Sequence, residues 1–144
     1  MIYTLTNIQD PLAVYLKDDP VRPHIPVEKR FGQNRHVLLL KEAGDVRAVV
    51  CTRLCKGIPS NEEELLSDIE EQPDTIVFYT IWSYKPGAGQ QLIRDSLNYV
   101  KSQLPHIRRF VTLSPQTEMA KRFHIKNGAQ VYRINFDTVN YEYI

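Results

Sequence analysis

Residues 74 to 90, DTIVFYTIWSYKPGAGQ, decide how this chain is read. The run from Thr75 to Trp82 is apolar enough for a central strand covered on both faces. It leads into Gly87-Ala88-Gly89 just where an amphipathic helix begins. Glycines lack Cβ and let the backbone turn close to a ligand, while the unpaired N–H groups of a new helix aim outward at the positive end of its dipole. Pro86 has no N–H, so the candidate donors to an anion are the amides of Gly87, Ala88, Gly89 and Gln90. A glycine pair after a strand is also an ordinary turn, and the motif alone does not choose between the two.

Working outward, the helix from about Ala88 to Gln103 sets Ile93, Leu97, Val100 and Leu104 on one stripe facing the sheet. Pro105 ends it, and Ile107 to Leu113 reads as a strand parallel to the previous one, because a helical crossover joins them. Pro115 suits the first turn of a helix running to Asn127, with Gly128 as its closing residue and Ser114 as a natural N-cap. Gln130 to Phe136 alternates and pairs with Val139 to Tyr143 in a final hairpin. Upstream, residues 2 to 8 read as a first strand, and Pro11 opens a short helical turn through Leu12 and Leu16. Asp18 to Gln33, with Pro20, Pro23 and Pro26, reads as a long irregular loop of the kind that borders sites. His36 to Lys41 and Val46 to Cys55 flank a hairpin turn at Glu42-Ala43-Gly44-Asp45. Ser60-Asn61-Glu62-Glu63 has capping-box spacing and opens a short acidic helix that buries Leu65, Leu66 and Ile69. This order predicts one α/β domain over residues 1–144, a mixed sheet with helices on both faces.

Composition excludes several classes of function. In 144 residues the charges nearly cancel at +1, which leaves no electrostatic footprint for nucleic acid or an anionic membrane. No stretch approaches the roughly 20 apolar residues of a membrane span, and the opening MIYTLTNIQD lacks a basic segment followed by an apolar run. The expectation is a soluble, cytoplasmic protein with a small-molecule or protein partner and an oligomeric state left open. Cys51 and Cys55 lie four apart on a predicted strand and read as reduced structural thiols, with no evident metal set. His24, His36 and His106 have no metal-ligand spacing and read as surface histidines.

With these elements in place the chain resembles the GNAT superfamily of acyl-CoA enzymes. Gly87-Ala88-Gly89 fits that family's Q/R-x-x-G-x-G/A loop, with Tyr84 where Gln or Arg is usual, and Ala120, His124 and Gly128 keep the family's later Ala/Tyr/Gly spacing with histidine in the tyrosine's place. A sharper resemblance is to the catalytic domain of malonyl-CoA decarboxylase. VFYTIWS (Val77 to Ser83) resembles its FYSIS strand, FVTLSP (Phe110 to Pro115) its F-x-x-LSP segment, and FHIKNGAQVYRINF (Phe123 to Phe136) its FH-x-x-NGA-x-x-x-R-x-NW block. CKGIPS (Cys55 to Ser60) and NYEY (Asn140 to Tyr143) are fainter echoes. The matches run in order over roughly residues 46 to 144. Three features depart from that family: its helical amino-terminal domain has no counterpart here, LSPIPGF has become LSPQTEM, and nine residues replace a long insertion between serine and histidine.

The resemblance implies a GNAT fold, coenzyme A (as acetyl-CoA or malonyl-CoA) as the cofactor or substrate, and Ser114 and His124 as the catalytic pair. It implies cofactor contacts from Trp82, Ser83, Gly87, Ala88, Gly89, Gln90 and Thr117. In decarboxylation His124, titrating near neutrality if unperturbed, supplies a proton to the α-carbon and Ser114 orients the carboxylate or the imidazole. In N-acetyl transfer to an amine, the same histidine protonates the departing thiolate, with Tyr79 or Glu118 as the nearest general base. A non-catalytic CoA-binding or interaction module is the third reading. Trp82 walls a channel or fills the core; Arg108-Arg109 meets a phosphate or points two ways; His124 acts, or packs as a helix histidine against Tyr79. A straight helix from Pro115 separates Ser114 and His124 by roughly 15 Å, so the pair can act together only if the helix begins later, near Thr117.

Overall fold

Turn chemistry and alternation set the first half of the fold. In the computed structural model, which describes residues 1–68 and 72–144, β1 (Ile2–Leu5), β2 (Arg35–Glu42), β3 (Asp45–Cys55) and β4 (Thr75–Ser83) pair antiparallel in chain order. The β2–β3 hairpin turns on Ala43 and Gly44, at φ 51° and 86°, the left-handed pair that a two-residue turn of the favoured hand requires. Before β2 the chain makes the expected helical turn as a 3-10 helix, Pro11–Asp18, and a second one, Val27–Arg30, inside the proline-rich segment, which is thus more ordered than a plain loop. α1 (Glu62–Leu66) is capped by Asn61, whose side chain accepts from the Glu64 amide, and it buries Leu65. The predicted burial of Ile69 lies outside the described residues.

The second half builds on β4. α2 (Ala88–Gln103) crosses over to β5 (Arg109–Thr112), which is parallel to β4 as predicted. Ala88, Gly89, Leu92, Ile93, Ser96 and Val100 form the buried face of α2, with Leu97 and Leu104 at its margin. β6 (Ser114–Pro115), α3 (Glu118–Lys126), β7 (Ala129–Ile134) and β8 (Thr138–Tyr143) follow. β8 inserts beside β5 and carries β7 on its other side, giving the order β1-β2-β3-β4-β5-β8 in a mixed sheet of eight strands. α2 packs on one face of this sheet; α1 and the segment before β2 cover the other.

One sequence expectation is corrected here. Pro115 does not open the helix: β8 holds Ser114 and Pro115 extended, opposite Val139 and Thr138. The Gln116 side chain then donates to the carbonyls of Asn135, Phe136 and Thr138. α3 starts only at Glu118, and its N-cap is Thr117, whose hydroxyl accepts from the Ala120 amide at 3.2 Å. Ser114 is therefore a buried strand residue and not a cap. Pairing to β8 has overridden the local preference of proline for a first helical turn.

β4 and β5 stay together only briefly. Their ladder runs from Thr75–Arg109 to Phe78–Thr112, and the Leu113 amide donates to the Phe78 carbonyl at 3.2 Å. Beyond that point β4 continues to Ser83 while the other strand bends onto β8. A bulge sits at the same level, because Thr80 faces Cys51 and Phe78 faces Thr52, leaving Tyr79 as the extra residue. Tyr79 and Trp82 consequently point to the face that Val77 also occupies.

That face is closed by the segment from Asp18 to Gln33, held by an ionic network whose Arg30–Asp19 pair is without exposure. Arg30 pairs with Asp19 at 2.6 Å, the two side chains being 1% and 0% exposed. Asp19 also accepts from the Thr80 hydroxyl at 2.8 Å and from the amides of Val21 and Arg22. Burial by itself would raise the Asp19 carboxyl, but these donors outweigh it and hold it below the usual carboxylate range. Arg22 donates to the Tyr79 carbonyl at the bulge and to Glu62 on α1. Asp19→Ala would strand the Arg30 guanidinium in the core. We expect a loss of about 3–5 kcal/mol, measured by urea unfolding; a loss under about 1 kcal/mol would show that the network is dispensable.

Candidate functional site

Separation of β4 from its neighbour leaves a cavity of about 520 Å³. Its walls come from the end of β4 (Phe78 to Ser83), the turn from Ser114 to Thr117, and Met119, Ala120, Phe123 and His124 of α3. Pro20 and Val21 of the covering segment and Gly89 of α2 complete it. Because Pro20 and Val21 lie on one side of the sheet and α2 and α3 on the other, the cavity passes through the split. No aspartate, glutamate, lysine or arginine side chain lines it among the described residues.

His124 is the main polar group within. It is 5% exposed and faces inward from α3, its ring stacked on Tyr141 at 5.2 Å and edge-on to Phe123 and Tyr143. It therefore packs on β8 and not against Tyr79 as the sequence suggested. Its Nδ1 lies 2.6 Å from the Tyr143 hydroxyl, while Nε2 has no protein partner among the described residues. Burial pushes the imidazole down to about 4, so the ring is neutral at physiological pH and the titration near neutrality of an unperturbed histidine does not apply to it. Burial likewise raises the Tyr143 phenol.

Ser114 and His124 line the same cavity, which the late start of α3 makes possible. Ser114 Oγ lies 2.8 Å from Thr112 Oγ1, a fully buried hydroxyl. Trp82 belongs to the core and also lines the cavity, its indole N–H donating to Tyr84 at 3.0 Å. Tyr84 in turn donates to Asp18 at 2.7 Å, joining the end of β4 to the covering segment. Ser83, Gly89 and Thr117 also line the cavity, whereas Gly87, Ala88 and Gln90 lie outside its wall.

The two glycines of the turn have different reasons to be glycine. Gly87 caps α2 at φ 78°, a left-handed conformation that side chains resist. Gly89 allows α2 to approach α3, since a Cβ there would meet the Phe123 ring at 3.2 Å. The Ala88 amide donates to the Lys85 carbonyl at 3.2 Å, leaving the amides of Gly87, Gly89 and Gln90 without a backbone acceptor among the described residues. These three are the available donors to an anion at the start of α2.

Of the remaining sequence candidates only Tyr79 lines the cavity among the described residues. Arg109 is held by Glu142 at 2.7 and 2.8 Å and lies over the Tyr132 ring, away from the cavity. Tyr79 lines the cavity, but burial raises its phenol well above the usual value, against a role as base. Glu118 is exposed in the first turn of α3 and does not line the cavity. Cys51 and Cys55 are buried free thiols, pushed up to about 11 by burial. His36 is half-buried and lowered by that burial, which corrects its reading as a surface residue. Sequence reasoning gave no role to Thr112, Tyr143, Arg22 or Arg30. Tyr143 stood within the quoted NYEY segment, but only the register of β8 brings it to His124.

Comparison with solved structures identifies the architecture. Malonyl-CoA decarboxylase from Rhodopseudomonas palustris matches at TM-score 0.76 and 18% identity, over 99% of this chain and 59% of that one. A putative acetyltransferase of the GNAT family from Desulfovibrio desulfuricans matches at TM-score 0.65 and 14% identity, over 99% and 98%. Arabidopsis thaliana NAA60, solved in complex with acetyl-CoA, matches at TM-score 0.61 and 12% identity, over 100% and 99%. The chain has a GNAT-like fold, shared with malonyl-CoA decarboxylase, and spans 35% to 60% of the length of the decarboxylase chains it matches. No protein-family model matches the chain, and no curated protein matches it.

The burial of His124 has a consequence for stability. A histidine that is harder to protonate folded than unfolded stabilises the fold fully above its unfolded value near 6.5, and loses that contribution as pH falls towards about 4. Unfolding free energy should therefore drop by up to roughly 3 kcal/mol over that interval, and His124→Gln should flatten this part of the profile. Parallel acid limbs for the two proteins in urea titrations would contradict a neutral buried ring.

Proposed function

We propose that the cavity takes the thioester end of an acyl-CoA and that the best-fitting reaction is decarboxylation of a malonyl thioester to an acetyl thioester. The observation that carries this reading is a buried neutral histidine, its Nε2 without a protein partner among the described residues, sharing with Ser114 a cavity that no charged side chain among those residues lines. Beyond Phe78, β4 has no strand partner on the split side, so the extended, amide-bearing pantetheine arm can pair with that edge. The unpaired amides of Gly87, Gly89 and Gln90 suit a pyrophosphate at the start of α2.

Chemistry follows from the charges. When the C–C bond to the carboxylate breaks, its electron pair moves into the thioester carbonyl, CO2 leaves, and an enolate remains. N–H and O–H donors aimed at the enolate oxygen lower this barrier, more so where water is excluded. His124 meets the oxygen as a neutral donor through Nε2, a pattern in which a histidine kept unprotonated acts as electrophile. Ser114 offers a hydroxyl to the same acyl group. The α-carbon then takes one proton, supplied in the balance by solvent. A wall without cations gives the carboxylate no counter-charge that would stabilise it in the ground state relative to the transition state.

The near-complete overlap with acetyltransferases of similar size favours a second reading, N-acetyl transfer to an amine. That reaction needs a base for an incoming ammonium, and no carboxylate lines the cavity among the described residues. Malonyl-CoA incubated alone should yield acetyl-CoA, with His124→Gln at least about 100-fold slower. Free CoA released from acetyl-CoA only in the presence of an amine would establish transfer in its place. Gly87→Val should weaken CoA binding about tenfold or more by displacing the amides. An unchanged affinity by calorimetry would remove the start of α2 from the site.

A further inference from the structure

β8 stands behind His124 and Ser114, and the hydrogen bonds around it bear on which way each proton points. Tyr143 is 4% exposed, and among the described residues the one hydrogen-bond partner of its hydroxyl is His124 Nδ1 at 2.6 Å. A buried phenol O–H needs an acceptor. Nδ1 accepts it only if the neutral ring carries its own proton on Nε2. Thr112 presents the same arithmetic. Its hydroxyl oxygen is fully buried, accepts from the Tyr141 amide at 3.1 Å, and lies 2.8 Å from Ser114 Oγ. Among the described residues Ser114 Oγ is the one acceptor in reach of the Thr112 proton, and a bond in that direction leaves the Ser114 proton free to turn into the cavity.

Thr112 is pinned for this purpose. Asn140, also without exposure, donates to the Thr112 carbonyl at 2.8 Å and to the Pro59 carbonyl at 3.0 Å. These bonds from Asn140 and Thr112 bridge the stretch between the β5 and β6 pairings with β8. On the other side of the ring, Tyr141 stacks on His124 and stops it from turning away.

We propose that Thr112 and Tyr143 are positioning residues that set Ser114 O–H and His124 Nε2–H as paired donors for an anionic oxygen of the bound acyl group. The ligand in this statement rests on the acyl-thioester reading above; the two proton directions stand on the protein's own geometry.

The experiment has two arms. Spectra of the full chain labelled with 15N-histidine, near neutral pH and without ligand, with His124 assigned among the four histidines by difference from His124→Gln, read the tautomer. We expect an unprotonated Nδ1 and a protonated Nε2, and in Tyr143→Phe a shift to exchange between tautomers. A protonated Nδ1 in the unsubstituted protein, or a spectrum unaltered by Tyr143→Phe, overturns the assignment for Tyr143. In the second arm, Tyr143→Phe and Thr112→Val should each lower kcat on malonyl-CoA about tenfold with KM changed by less than about twofold. Thr112→Ser, which keeps the hydroxyl, should restore the rate; equal losses in Thr112→Val and Thr112→Ser assign the effect to packing and overturn the role of Thr112. Should the unsubstituted protein leave malonyl-CoA intact while the nitrogen spectra come out as expected, the reaction proposed above fails and the positioning role of Tyr143 survives.

Discussion

The Leu113 amide bonded to the Phe78 carbonyl is the last contact of the ladder between β4 and its parallel neighbour, and the site exists because the ladder stops there. Two strands that continued together would fill this space with backbone. Pro115 has no N–H to donate, and Ser114 and Pro115 are taken up by β8. β4 meanwhile bulges at Tyr79 and continues to Ser83 with a free edge. Opening a sheet in its interior would ordinarily leave buried polar backbone without partners, at a cost of about 1–3 kcal/mol for each orphaned group. Side chains take over where the ladder is broken: Asn140 on the Thr112 carbonyl, Thr112 on the Tyr141 amide, Arg22 on the Tyr79 carbonyl.

The same substitutions determine the electrostatics of the cavity. Arginine and aspartate are close by, but Asp19 pairs with Arg30, and Arg22 with Glu62 and the bulge, and none of the four lines the open space. His124 is left among aromatic rings with a phenol as its polar neighbour, and without a counter-ion its neutral form prevails. A hydrogen-bond donor that carries no charge suits a reaction whose substrate brings the negative charge. Structure and proposed chemistry meet in this point: the fold removes its own charges from the cavity and keeps uncharged groups, Ser114 and His124 among them, that can donate.

Much of the fold was legible in the chain because it is locally encoded. The hairpin at Ala43-Gly44, the helix after Gly87, the parallel return after Pro105 and the closing strand pair all come from turn residues and apolar spacing, and they stand as predicted. The start of α3 was misread because Pro115 suits a first helical turn as well as it suits an edge position, and only the distant Val139 and Thr138 decide between them. The covering segment was read as loop because its prolines dominate the pattern. Its order comes from Arg22 and Arg30, whose partners are up to 57 positions away in the chain.

The sequence by itself determined the identity and order of the strands and helices, the glycine turn at the start of α2, and the residue types that can carry chemistry, since these depend on neighbours within a few positions. Tertiary structure alone decided that Ser114 and His124 share one cavity, that the imidazole is neutral, and that Thr112 and Tyr143 stand behind them. Those properties depend on burial and on contacts made across β8. Solvent exclusion and strand register arise only when distant segments have packed, so no local pattern of residues could contain them.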